Sequence, residues 1–178
     1  MFRSENLSIV FYTNIFIILG WHLLICLICK NLKDASFDYN RDAYKTKYWE
    51  NDGHFYQKRL KIKLWKDYLP QYISKNGFSK NNLDSLSIDY IDKFILETCR
   101  GEWAHKKCML ISVLLFFFNR FCIGVFFGSI VLFINLPYVC IQRYNRIRFL
   151  RIRKKLVHQT NVDSERLIKF AKGALKNN

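Results

Sequence analysis

Apolar residues gather in two blocks along the chain, and charged residues largely stay out of both. The first block, IVFYTNIFIILGWHLLICLIC at 9–29, has Asn14 and His22 as its strongly polar members. A helix of roughly 20 residues crosses hydrocarbon at about 1.5 Å per residue, so this block is long enough to span. No small-x-small cleavage site follows it, so 1–29 predicts a retained transmembrane anchor rather than a cleaved signal. The second block, MLISVLLFFFNRFCIGVFFGSIVLFINLPYVCI at 109–141, is divided by Asn119 and Arg120. The piece before the division is short for a crossing, and the piece after it can span alone.

Charge decides how the second block lies. Lys106 and Lys107 precede it and QRYNRIRFLRIRKK follows it. By the positive-inside rule both flanks belong to the cytoplasmic face. Segment 108–141 is therefore expected to be an apolar helical hairpin turning near Asn119–Arg120, with a single crossing as the alternative. Segment 30–107, with 16 Lys/Arg and 11 Asp/Glu, reads as a cytoplasmic interfacial region, and 142–178, with 11 Lys/Arg and two acids, as a basic cytoplasmic tail. Within the former, YWENDGHFYQKRLKIKLWKDYLPQ (48–71) interleaves aromatic and basic side chains, as a segment lying on headgroups does. SKNGFSKNN at 74–82 reads as a loop. The fold class expected is mainly α: a small integral membrane protein with an N-terminal transmembrane helix, an amphipathic region and a C-terminal apolar helical hairpin.

The formal net charge is +15. Because the basic residues flank the apolar blocks, anionic lipid headgroups explain them more simply than nucleic acid, and the bilayer is the expected partner. Cys26 and Cys29 have C-x-x-C spacing but lie inside an apolar span with no second ligand pair, which argues against zinc. Together with Cys122 and Cys140 they are expected to be buried small hydrophobes. Neither His54 nor His105 is followed by an Asp five positions on, as the His-x4-Asp of glycerolipid acyltransferases requires, and Gly-x-Ser-x-Gly and Walker patterns do not occur in the sequence.

Candidate chemistry concentrates in FILETCRGEWAH, 94–105. On a helix Glu97, Gly101 and His105 share one face, flanked by Thr98 and Glu102 on one side and Arg100 on the other. Leu96, Cys99 and Trp103 lie opposite, as a packed face. Gly101 leaves a notch, and a mid-helix glycine costs roughly 1 kcal/mol relative to alanine. Glu102 and His105 are an i,i+3 pair, the spacing at which a carboxylate can orient an imidazole as a general base. A solvated polar face with ordinary ion pairs fits the same pattern. Glu102-Trp-Ala-His105 is also half of a di-iron motif, but the second Glu-x-x-His is absent, so no metal is expected.

The HFYQKRLKIKLWKDYLP stretch (54–70), FILETCRGEWAH (94–105) and NLPYVCIQRYNRIR (135–148) occur here in that order after the N-terminal span. Over about 48–148 they resemble the glycosyl-4,4'-diaponeurosporenoate acyltransferases, membrane enzymes of the staphyloxanthin-type carotenoid pathway. Ile147 stands where the family pattern has a proline. The resemblance implies transfer of a fatty acyl group to a sugar hydroxyl of a glycosylated carotenoid, with acyl-CoA as co-substrate and no cofactor. On that expectation His105 is the base and Glu102 or Glu97 orients it. Arg100, Arg143 and Arg146 would then meet donor phosphates or the oxyanion, and Gln142, Tyr144 and Asn145 would complete the substrate contacts. The arginines of 142–148 are equally accounted for by a positive-inside stop signal, and a covalent route through Cys99 or Cys108 is a minor option. Two other functions fit: an acyltransferase for another glycolipid, and a non-enzymatic basic membrane adaptor.

Overall fold

The computed structural model describes residues 6–70 and 87–176, with side chains to 167. The stretch 74–82, read above as a loop, lies outside the described residues. The described chain is almost wholly helical. Helix α1 runs Leu7–Asn31, capped at its start by the Asn6 side chain accepting from the Ser8 N–H. Short turns follow: a 3-10 turn at Asp34–Phe37, another at Tyr48–Gly53, α2 at His54–Lys58, α3 at Ile62–Trp65 and a 3-10 turn at Lys66–Tyr68. Three long-range elements complete the chain: α4 (Ile88–Met109), α5 (Ile111–Phe118) and α6 (Phe121–Lys176).

The expected hairpin is present, and it is longer than its apolar part. Only Leu110 separates α4 from α5, and the chain reverses at Asn119–Arg120. Helix α6 then runs back along both. From the tip downward, Phe116 meets Gly124, Ser112 meets Gly128, His105 meets Asn135, Glu102 meets Arg143, Phe94 stacks on Phe149, and Asp92 pairs with Arg153. The tip packs tightly because Gly124 and Gly128 have no side chain. A Cβ on Gly124 would stand 2.9 Å from the Leu115 carbonyl oxygen and from the Phe116 Cα. Small residues spaced by four let apolar helices approach in this way.

Helix α1 lies against α4 and α5. The Trp21 indole N–H donates to the Lys107 carbonyl at 3.0 Å. Near the hairpin tip Asn14 and Asn119 bond each other reciprocally, at 2.9 Å both ways, and each also donates to a carbonyl of its own helix. Ile111, Leu115, Phe127 and Val131 form the core between these helices, with Ile15, Ile18 and Trp21 packed on it.

The outer surface of α1 and of the hairpin down to Leu136 is apolar, with Phe16, Leu23, Phe117, Phe126 and Phe133 exposed. Among the described residues two helices are long and apolar enough to cross a membrane, α1 and the first part of α6. The cysteine expectation holds for Cys29, which is buried, and Cys140, which is half-buried. Cys26 and Cys122 instead face outward with the exposed apolar side chains.

The amphipathic stretch is broken into turns rather than one rod. Asn51, Asp52, Gly53 and Lys61 adopt positive φ and redirect the chain there. Its apolar positions divide accordingly. Tyr56 and Ile62 are buried with Ile141, Tyr144 and Ile147 of α6, while Tyr48, Leu64 and Tyr68 stay exposed. Ile147 is part of this core and lies mid-helix.

Candidate active site

The face of α4 opposite the polar residues packs as expected. Cys99 is buried with Cys29, Phe37 and Tyr44, and Leu96 and Trp103 close over them. Burial raises the Cys99 thiol to about 11, which leaves it protonated and a poor nucleophile near neutral pH. The notch at Gly101 is filled by Gln142, whose side-chain amide would lie 2.9 Å from a Cβ there.

The polar face divides into three separate arrangements. Glu97 is an exposed partner of Arg100, at 2.7 Å, and Arg100 also holds Asp34 at 2.5 Å while lying over the Phe37 ring. This pair ties α4 to the first 3-10 turn and leaves His105 alone.

Glu102 is fully buried and turned toward α6. It accepts from Arg143 at 2.8 Å, and also pairs with Arg146 and Lys106. Arg143 continues to a second buried carboxylate, Glu50, through two bonds of 2.8 and 2.7 Å. The carbonyls of Ala43 and Lys45 take its remaining N–H groups. Glu50 also accepts from the Tyr56 hydroxyl and the Lys47 backbone N–H, each at 2.5 Å. Burial alone would raise both carboxyl groups, but the guanidinium groups hold Glu50 and Glu102 below the usual carboxylate value. Arg146 donates further to the Tyr44 carbonyl at 3.1 Å. Five ionic side chains from three parts of the chain thus pair with one another, with Arg146 Nη1 left enclosed and unpartnered, and what they do chemically is fix the 43–56 segment onto α4 and α6.

His105 belongs to the third arrangement. Its Nδ1 lies 3.0 Å from Asn135 Oδ1, and its ring stacks on Tyr138 at 4.7 Å between centroids and 7° between planes. Asn135 Nδ2 donates to the Val131 carbonyl at 2.9 Å and reaches His22 Nε2 at 3.3 Å, and His22 Nδ1 meets the Ile18 carbonyl at 2.8 Å. The partner of the imidazole is therefore a neutral amide from α6. Glu102, expected to orient His105, is committed to the arginines, and Glu97 to Arg100. Burial is the largest influence on His105 and pushes its pKa below the ordinary 6.5, so the ring is neutral at neutral pH. A neutral imidazole with one nitrogen unbound can take a proton.

Of the remaining candidates, Arg143 and Arg146 are buried, Tyr144 packs in the core with its hydroxyl enclosed and unpartnered, and Asn145 is half-buried. Gln142 beside Gly101 lies one turn before His105. Among the described residues no cluster of His, Cys, Asp or Glu could hold a metal ion. Sequence reasoning missed Glu50, Tyr56 and the roles of Asn135 and His22. A polar side chain within an apolar span was the available signal for the last two.

The CrtO family, described as glycosyl-4,4'-diaponeurosporenoate acyltransferase, matches residues 40–155. That interval runs from the first turns through Glu50, Glu102, His105 and Asn135 to the arginines of α6. The chain belongs to this family. Glycosyl-4,4'-diaponeurosporenoate acyltransferases of Staphylococcus aureus strains MRSA252 and bovine RF122 / ET3-1 are each 30% identical to it over 134 residues, 70% of this chain and 78% of theirs. The enzyme of that name from strain N315 is 29% identical over 131 residues. No solved structure matches the chain significantly. As a member of the CrtO family the protein is an acyltransferase, and the half-buried, hydrogen-bonded imidazole of His105 on α4 lies inside the matched interval.

Proposed function

We propose that the protein esterifies a sugar hydroxyl of a glycosylated carotenoid acid with a fatty acyl group, using acyl-CoA as donor, at the cytoplasmic face of the cell membrane. The observation that carries this reading is the position of His105. It stands where the exposed apolar surface of the hairpin ends, next to Lys106 and Lys107 and opposite the start of the basic stretch of α6. A polyene dissolved in lipid and a water-soluble thioester have this border as their meeting place.

His105 Nε2 takes the proton of the sugar hydroxyl as its oxygen attacks the thioester carbonyl carbon. The tetrahedral intermediate then collapses with cleavage of the carbon–sulfur bond, and the imidazolium returns the proton to the departing thiolate. Arg143 and Arg146 serve this reaction by holding the fold, since their N–H groups are largely turned to Glu50, Glu102 and backbone carbonyls. Lys30, exposed at this border, is the cation offered to donor phosphates, and Gln142 is the polar group offered to the sugar. Exposed Tyr48, Trp49, Leu64 and Tyr68 beside Lys58, Lys61 and Lys63 suit a surface resting on headgroups.

Pigment analysis tests this in cells that already make the glycosylated carotenoid. Expression of the protein is expected to give an acyl-ester product, and His105→Ala at equal membrane level is expected to give none. Acylation that persists in the variant removes His105 from the mechanism. No ester with the wild-type protein moves the acceptor to another glycolipid.

A further inference from the structure

The bonds that join His22, Asn135 and His105 cross three helices, and their two ends determine every proton between them. The Ile18 and Val131 carbonyls can only accept. His22 Nδ1, at 2.8 Å from Ile18 O, is therefore an N–H, which makes Nε2 the ring nitrogen that can offer a lone pair toward Asn135. The group of Asn135 that faces the Val131 carbonyl must be its NH2, whose second hydrogen points to that lone pair. Oδ1 is thereby turned to His105, and His105 Nδ1 must be the protonated nitrogen. All donors and acceptors match in this one assignment. Flipping the Asn135 amide would set its oxygen against the Val131 carbonyl oxygen, with no hydrogen to stand between them.

We infer that Asn135 and His22 are positioning residues that hold His105 in the Nδ1–H tautomer, with the Nε2 lone pair left for the acceptor hydroxyl. This deepens the proposed acyl transfer and rests on that reading. Tyr138 fixes the plane of the ring, and Asn135 fixes which nitrogen is basic. When His105 gains a proton, Asn135 Oδ1 accepts from an imidazolium N–H, a stronger bond than the one before, so the amide favours the charged state that forms on the way to products. His22 secures the amide from behind, since a protonated His22 would turn an N–H toward the Asn135 NH2. The titratable groups facing His105 are His22 from α1 and Tyr138 from α6. On its own helix Glu102 is taken by Arg143, Arg146 and Lys106. The competing explanation is that Asn135 and His22 only glue three helices together.

The tautomer is read directly by nitrogen NMR of the full-length wild-type protein, labelled with 15N-histidine, in lipid nanodiscs, with His105→Gln assigning the resonance. His105 is expected to show a protonated Nδ1 and a pyridine-type Nε2. A protonated Nε2 overturns the proposal without any variant having to fold. The kinetic arm uses Asn135→Asp, whose carboxylate would stabilise the imidazolium. The acidic limb of kcat/KM is expected to move to higher pH by about 1–3 units, the effect of an opposite charge at this range. A folded, active variant with an unmoved limb would leave only the glue role. If His105→Ala retains turnover, the acyl-transfer role of His105 has failed first. If it is inactive while the Asn135→Asp limb does not move, the positioning role alone has failed.

Discussion

At Arg143 one guanidinium separates two buried carboxylates, of which Glu102 also has Arg146 and Lys106 while Glu50 relies on Arg143 for its ion pair. Removing it with Arg143→Ala strands Glu50, and breaking a buried pair of this kind costs about 3–5 kcal/mol. The expected result is a lower melting temperature in detergent and less folded protein. Glu97→Ala removes an exposed pair with Arg100 and is expected to change stability by at most about 1 kcal/mol. Equal melting of the two variants would mean that water reaches Glu50. The sequence pointed to Glu102 and the two arginines as important and misread their task. An arginine at a membrane border looks the same whether it meets a headgroup, a donor phosphate or a carboxylate. Its partner Glu50 is 93 positions away, a pairing that local spacing does not encode. His105 drew notice because a lone imidazole on a patterned helix invites a role, whereas its partner Asn135 was hidden inside an apolar run.

Elements were easier to foresee where hydrophobicity alone decides. Both apolar blocks became helices, and the reversal falls at the Asn119–Arg120 break. Residues 48–68 were harder, because the positive-φ positions at Asn51, Asp52 and Lys61 are set by the contacts of Tyr56 and Ile62 with α6. The glycines of the apolar helices give a graded test of hairpin packing. Gly124→Ala would place a methyl 2.9 Å from backbone atoms of α5, which can give way only if the helices part. Gly128→Ala meets the Ser112 carbonyl oxygen at 3.3 Å, and Gly20→Ala meets nothing within 4 Å. The melting temperature is expected to fall most for Gly124→Ala, less for Gly128→Ala, and not at all for Gly20→Ala, where alanine is the better helix former. An equal response at all three positions would show that α5 and α6 do not approach as described.

For the molecule as a whole, the 56-residue α6 sets the dimensions: about 84 Å at 1.5 Å per residue, so its apolar start and its basic remainder occupy different surroundings. With the proposed orientation, in a background freed of native cysteines, a cysteine at Ser8 is expected to react with an impermeant reagent on intact cells. One at Ser164 is expected to react only after permeabilisation. The opposite pattern would turn the protein over and move the site to the outer face. The anchor and the hairpin are joined near the tip by the reciprocal amides of Asn14 and Asn119, each of which donates to and accepts from the other. In lineages that diverge, this pair should resist drift one residue at a time, because either change alone leaves an orphaned amide facing hydrocarbon. Descendants are expected to keep both asparagines or to have lost both, so that two positions 105 apart in sequence are inherited as a single character.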